Sequence, residues 1–373
     1  MPDRKTPTTE VRVTQQRPEE ERAVTVPFPS VPMSAFNVNS TGLPTEVLDF
    51  QAAVMKWTRD MGMLCSDEQF AKADRYGIGV LCYYVYHHLP SYQDTLILSN
   101  FVMWTTMIDD YITENPTLTK EKAEWTLDKV LLLMDLIDGT VAESGDDNIE
   151  YICEHVYSAR GLADLFSRRN ADKKHLVYDL KRSLEHWFDS MRIAYRNKSL
   201  PNVEQFLEVR VWDGATVLYC DALPALCSAF ATADLDEELV TVSGCHFLMT
   251  EMKRFVAKHI AGVNDIIAVK KEYERGDLNN LVMMLHKVHE CHIHRAIEEA
   301  VDIVNNVYIA FENLKELLPS PAKEVDRFAQ ALNIETMERW MYGHLYWYYC
   351  PYNERYTTGY EVNNRPANEH PLA

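Results

Sequence analysis

From Pro44 to Tyr349, apolar residues recur three and four positions apart in one segment after another, the period of helices that bury one face. The spacing predicts helices over 44–61, 67–87, 93–113, 119–138, 148–168 and 173–196. Further helices are predicted near 202–231, 236–260, 262–275, 288–317 and 322–349. The joints "HHLPSYQD", "ENPTLTKE", "ESGDDN" and "LPSPAKE" carry turn chemistry. Strand-like alternation bounded by hairpin turns is missing, as is a Gly-rich phosphate loop. The helices do not repeat at a fixed period, which argues against a solenoid. The expectation is an all-α fold with one large domain over 41–356 and inner helices around a central space. A polar, Pro-rich, aperiodic tail at 1–40 would precede it, and a second tail at 357–373 would follow.

Charge narrows the partners. With 37 Lys and Arg against 56 Asp and Glu, the chain of 373 residues carries a formal net charge of −19. That balance argues against nucleic acid and against an anionic membrane surface. A small anionic ligand would need locally placed cations or a metal to counter the protein's own field. No apolar run approaches the ~20 residues of a membrane span. The longest such cluster, "VLLLMDLI" at 130–137, contains Asp135. The first 25 residues lack a hydrophobic signal core and include Glu10, Glu19, Glu20 and Glu21, so a cytoplasmic location is expected. The 8 Cys are scattered without a Cys-x-x-Cys and are expected to be reduced core thiols.

Two acidic helices carry the candidate chemistry. "NFVMWTTMIDDYITENP" places Asp109, Asp110 and Glu114 at the end of an apolar helix. Helical geometry turns Asp109 and Asp110 apart and stacks Asp110 with Glu114. The Asp109 face also holds Leu98, Val102, Thr105 and Thr106, with Phe101 at its edge. A carboxylate crowning that face is costly unless solvated or bound to a cation. "VNDIIAVKKEYERGD" places Asn264, Ala268 and Glu272 four apart on one stripe, with Asn264 and Glu272 roughly 12 Å apart. Their oxygens are hard ligands suited to Mg²⁺, and Lys271 would be available to an anion beside it.

Together the two helices resemble the motif pair of the class I terpene synthases of microbial type, single-domain α-helical bundles around a central active-site cavity. In that family an aspartate-rich motif faces an Asn-Asp-x-x-Ser-x-x-x-Glu motif, with three Mg²⁺ and the substrate diphosphate between them. The resemblance implies Asp109, Asp110, Glu114, Asn264 and Glu272 as metal residues, with Mn²⁺ a substitute for Mg²⁺. "EVRVWDGAT" matches the family's Arg-x-x-Asp-Gly arrangement, which implies Arg210 as diphosphate sensor, Asp213 as linker and Gly214 as donor of a backbone carbonyl to the cation. "RWMYGHLYWYYCPYNERY" resembles the family's C-terminal ending and implies Arg355 and Tyr356 on the diphosphate with Arg210 and Lys271. Trp340, Gly343, His344 and Trp347 share a helical face, so Trp340 and Trp347, with Phe101, are candidate cavity-lining residues. There are two departures. Ala268 stands where a Ser ligand is expected, and His344 stands where Asn is usual.

The implied activity is ionisation of a linear prenyl diphosphate and cyclisation of the carbocation. The motif set is similar to octocoral-type cyclases, which often make diterpenes, so the expectation leans to C20 over C15. Chain elongation is the nearest alternative, but it typically uses two Asp-rich motifs. A di-iron bundle would need Glu-x-x-His pairs, and none occurs. A catalytically dead protein of the same fold is suggested only by Ala268. The partner expected is the prenyl diphosphate, with the protein a monomer or homodimer. His286, His289, Cys291, His292 and His294 look like a metal cluster, but helical spacing splits them around the helix.

Overall fold

The computed structural model describes residues 8–12, 23–27, 43–113, 115, 117–168, 174–196, 202–231, 245–275 and 279–349. Its helices are α1 (Thr45–Asp60), α2 (Asp67–Asp74), α3 (Ile78–Tyr86), α4 (Tyr92–Thr113), α5 (Lys120–Asp138), α6 (Ile149–His155) and α7 (Ala159–Ser167). They continue as α8 (Lys174–Arg196), α9 (Val203–Asp213), α10 (Thr216–Leu226), α11 (Cys245–Arg275), α12 (Leu281–Val288), α13 (Ile293–Leu317) and α14 (Glu324–Tyr349). Side chains mark several starts. Ser66, Thr119, Asn148 and Asn202 each accept the N–H three residues on, satisfying donors that a helix start leaves without a partner. Gly139 ends α5 in the left-handed region, at φ 70°.

Five of the eleven predicted helices, 44–61, 93–113, 119–138, 173–196 and 322–349, appear within a residue or two; the span 288–317 begins only at Ile293, after the unpredicted α12, and the other exceptions follow. The span 67–87 breaks at Gly77 (φ 63°), and 148–168 breaks at Ser158 (φ 64°). The span 202–231 breaks at Ala215 (φ 55°) and ends in a 3₁₀ turn at Ser228–Phe230. A left-handed residue stands just before the second helix of each pair, with Val156 already extended (φ −104°) after α6, and at Ser158 and Ala215 no glycine announces the break. The expected joint near 261 is absent, because α11 runs unbroken through Gly262. There a Cβ would stand 2.5 Å from Val304 Cγ2, so the glycine lets α11 and α13 approach closely. Residues 236–244 lie outside the described ones.

Two short strands precede the helical domain. β1 (Thr8–Arg12) and β2 (Ala23–Pro27) pair antiparallel, Thr8 opposite Pro27 and Arg12 opposite Ala23, with β2 beside α13. Each strand is five residues long, and the ten residues between them are too many for a hairpin signal. The domain itself is all-α, as expected.

α11 is the hub, packing against α9, α10, α12, α13 and α14. α10 joins it to α4. Tyr219 Oη lies 2.8 Å from Thr105 Oγ1 on α4, and Asp221 takes a 2.5 Å bond from Lys253 on α11. One apolar core runs through these helices and buries Trp104, Trp187, Phe101, Phe166 and Phe188. Cys82, Cys220 and Cys227 are buried thiols, and the described cysteines form no disulfide. No helix among the described residues is long and apolar enough to cross a membrane.

Candidate active site

The break between α9 and α10 fixes the first group. Ala215, rather than Gly214 (φ −78°), carries the left-handed turn, at a cost on the order of 1 kcal/mol for a residue with a Cβ. Two contacts hold the break in place: the Trp187 indole N–H donates to the Asp213 carbonyl (3.1 Å), and the Thr216 hydroxyl lies 3.4 Å from the Gly214 carbonyl.

Arg210, one turn earlier, donates through Nη1 to Asp213 Oδ2 and forks onto Asp265 of α11, Nη2 to Oδ1 at 2.5 Å and Nε to Oδ2 at 3.4 Å. Asp265 is fully buried. Burial raises its pKa above the ordinary carboxylate value, while Arg210 and the Leu281 N–H (2.8 Å) pull it back. Burial also works against the Arg210 charge, but Asp265 and Asp213 outweigh it and hold the guanidinium well above its ordinary pKa.

Asn264 and Glu272 lie on either side of Ala268 along α11. Both are half-buried, and Ala268 is 1% exposed. Asn264 donates through Nδ2 to Tyr348 Oη on α14 (2.5 Å), and Glu272 Oε2 accepts from Asn280 Nδ2 (2.5 Å). Asn279 Nδ2 reaches Asp213 Oδ2 at 3.5 Å. The structure thus joins Arg210, Asp213 and Glu272 through Asp265 and Asn280, two residues with no role expected from sequence. Lys271 occupies its place on α11, but its side chain, like the whole of Glu114, Arg355 and Tyr356, lies outside the described residues.

Asp109 and Asp110 sit half-buried in the last turn of α4. Burial, then the nearby Asp110 carboxylate, pushes the Tyr157 phenol up, so Asp110 stands toward the segment between α6 and α7. Phe101 stacks on Trp104 at 5.7 Å. Trp340 stacks on Tyr219 at 4.8 Å and bonds Tyr86 Oη (3.2 Å), while Trp347 donates to the Tyr76 carbonyl (2.8 Å). At Gly343 a Cβ would meet Val85 Cγ2 at 2.9 Å. This face of α14 is the one that packs on α3. Among the histidines in and after α12, His286 bonds the Cys291 carbonyl (2.6 Å), His289 pairs with Glu299 (3.0 Å), and His292 stacks on His294 (5.1 Å), so they do not converge.

The family described as terpene synthase family 2, C-terminal metal binding, matches residues 100–308. The chain belongs to this terpene synthase family. As a class I terpene synthase of microbial type, it is similar to pristinol synthase from Streptomyces pristinaespiralis, 24% identical over 304 residues, 79% of this chain and 77% of that one. It is equally similar to (+)-T-muurolol synthase from Roseiflexus castenholzii, 24% identical over 301 residues, 79% of this chain and 83% of that one. Among solved structures, α-eudesmol synthase shares the fold at a TM-score of 0.65 and 16% identity, covering 83% of this chain and 96% of its own. Linalool/nerolidol synthase from Streptomyces clavuligerus does so at 0.61 and 16%, covering 80% and 98%. The synthase is therefore an enzyme, a terpene cyclase by family, and the family is one of metal-binding, prenyl diphosphate-consuming proteins.

The donor set of the synthase fits a hard divalent cation. Asn264 and Glu272 carry amide and carboxylate oxygens on one stripe of α11, and Glu272 lies close enough to Arg210 to raise its pKa. Among the described residues no three His, Cys, Asp or Glu side chains form a closed metal cage. A metal at this end would complete its shell from water and the substrate's own oxygens, which Mg²⁺ commonly does. Asn280 could have been found from sequence: it precedes the apolar run Leu281–Leu285 as an N-cap, yet the first helix of that region was predicted only from 288.

Proposed function

We propose that the synthase is a Mg²⁺-dependent cyclase of a linear prenyl diphosphate, with Asp109, Asn264 and Glu272 as direct metal ligands and Asp110 and Glu114 in direct or supporting roles. Three Mg²⁺ are expected, replaceable by Mn²⁺. Arg210, Lys271 and Arg355 grip the diphosphate, Tyr356 adds a hydrogen bond, and Asp213 and Gly214 carry the signal of its arrival to the helix break. The observation that supports this reading most is the buried Arg210–Asp265 fork, which joins the α9 break to the Asn264–Glu272 stripe. An arginine held rigidly at this point offers N–H donors to an incoming anion without reorganisation.

A bound divalent ion would neutralise charge on the leaving diphosphate. Departure of the diphosphate with its bonding electrons leaves an allylic carbocation, whose π bonds close rings before a proton is lost or water is captured. The chain's own task is to exclude water until then. Aromatic faces such as those of Phe101 and Trp340 serve the cation, and one at close range is worth ~2 kcal/mol when desolvated.

Chain length is where two lines of support part. The (+)-T-muurolol synthase carries a farnesyl diphosphate cyclising activity in its name, which favours C15. The octocoral-like motif set favours C20. Separate incubations with C10, C15 and C20 diphosphates and Mg²⁺, extracted into hexane and read by mass spectrometry, decide it. Cyclic terpene from one substrate without isopentenyl diphosphate is the expected result. A longer prenyl diphosphate formed only when isopentenyl diphosphate is added would replace cyclisation with elongation.

A further inference from the structure

Asn280 stands at the start of α12, with its side chain completely buried. All its hydrogen-bonding capacity is in use. Oδ1 accepts the N–H groups of Val282 (2.8 Å) and Met283 (3.2 Å). Nδ2 donates both its hydrogens to α11, one to the Asp265 carbonyl (2.7 Å) and one to Glu272 Oε2 (2.5 Å). Two donors facing it on one side and two acceptors on the other fix the orientation of the amide. Capping α12 needs only the oxygen, and Asp or Ser would serve as well. The amide nitrogen therefore has a second task.

That task concerns the charge on Glu272. Glu272 lies three residues before the end of α11, where the helix dipole opposes a negative charge. A carboxylate there, half-buried, needs a donor to hold it in one place. Asp265 is served from the same start of α12, through the Leu281 N–H (2.8 Å), at a helix end that favours anions. One short element thus fixes both the ligand Glu272 and the anchor of Arg210.

We infer that Asn280 is a positioning residue for the metal end: its amide N–H holds Glu272 Oε2 and so aims the carboxylate at the cation, while its carbonyl oxygen keeps α12 in place. The inference rests on Glu272 being a metal ligand. The same bridge ties Glu272 to Asp265 and hence to Arg210, so grip on the diphosphate and geometry of the metal ligand are set by one connected group. Partners of this kind typically change metal affinity 10–100-fold when removed.

The test uses Asn280→Ser and Asn280→Asp, both of which keep a capping oxygen and lose the amide donor; Ser also adds no charge beside Glu272. The readout is thermal: the rise in melting temperature of the full chain on titrating Mg²⁺ at fixed inorganic diphosphate, alongside turnover. In Asn280→Ser the Mg²⁺ concentration at half-maximal stabilisation should rise roughly tenfold or more. Turnover should recover as Mg²⁺ is raised. The change should vanish in a Glu272→Gln background, since the two residues act as one unit. A folded Asn280→Ser protein with an unchanged Mg²⁺ half-point, or an effect undiminished in the Glu272→Gln background, overturns the proposal. Glu272→Gln alone separates the levels: if it leaves the half-point where it was, the reading of Glu272 as a ligand fails first.

Discussion

Two stretches of α11 less than two turns apart treat buried polar groups in opposite ways. At Asp265 the fold surrounds a completely buried carboxylate with a guanidinium fork and a backbone N–H. At His259, 1% exposed, neither ring nitrogen has a hydrogen-bond partner. Burial there pushes the imidazole pKa down to about 4. On α14, His344 follows suit: burial, then the nearby His259, pushes it down to about 3. The His344 ring stacks on Trp347 (5.8 Å) and meets Tyr348 edge-on (4.6 Å), and Tyr348 is the partner of Asn264. A fixed, fully paired charge cluster therefore adjoins a neutral wall of imidazole and aromatic rings. The contrast suits the proposed chemistry, because the anion that leaves and the cation that remains need opposite surroundings.

The sharpest way to break the contrast is to strand the buried charge. Arg210→Ala leaves Asp265 without its main partner and should cost about 3–5 kcal/mol of stability in urea unfolding. Turnover should fall by roughly 100-fold or more as the anion-facing donors go. A variant as stable as the parent would show that the Leu281 N–H at the start of α12 suffices for Asp265.

A smaller effect tests the neutral side. The folded pKa values of His259 and His344 lie below the unfolded value near 6.5, so as pH falls the unfolded chain takes up their protons first. Their contribution is fully present above about pH 6.5 and is lost as pH falls toward about 4 and about 3 respectively. Each should remove about 1.4 kcal/mol per pH unit in that window. His344→Asn should therefore flatten the decline, with a difference of about 2 kcal/mol at pH 5 relative to pH 7. Parallel stability curves for parent and variant would place a charged histidine in the folded protein.

Tyr348→Phe links the two sides more gently. Removing the phenol oxygen should cost about 1 kcal/mol of stability and raise the Mg²⁺ requirement, since the hydrogen bond from Asn264 Nδ2 to Tyr348 is lost. An unchanged requirement would detach Tyr348 from the metal end. The smallest change expected is in Ala268→Ser, which adds an oxygen midway between Asn264 and Glu272. It should lower the Mg²⁺ concentration for half-maximal activity by roughly threefold. Ala268 is buried, so a raised requirement would mean that the hydroxyl disturbs packing rather than reaching the cation.

The helices of the domain were legible because their apolar faces are long and regular, as in α4, α5 and α8. Ser158 and Ala215 hid their breaks, since neither residue type advertises a left-handed turn. At the site, Asn264, Glu272 and the Arg210–Asp213 spacing could be read because helical periodicity puts them at fixed offsets. The Arg210–Asp265 fork could not, because it joins residues 55 positions apart through packing that no local pattern encodes. Nor could the two donors of Asn280, whose cap signal was visible but whose second partner, Glu272, lies across a turn on another helix.

The Asn264–Glu272 end is proposed to work by holding a divalent cation against the substrate diphosphate. Titrating Mg²⁺ against terpene formation in the parent protein and in Glu272→Ala tests this most directly. The parent should be inactive in chelator and saturate with Mg²⁺, while Glu272→Ala, correctly folded, should form no terpene at any Mg²⁺ concentration tried. A Glu272→Ala protein with the parent's turnover and the parent's Mg²⁺ dependence would contradict it.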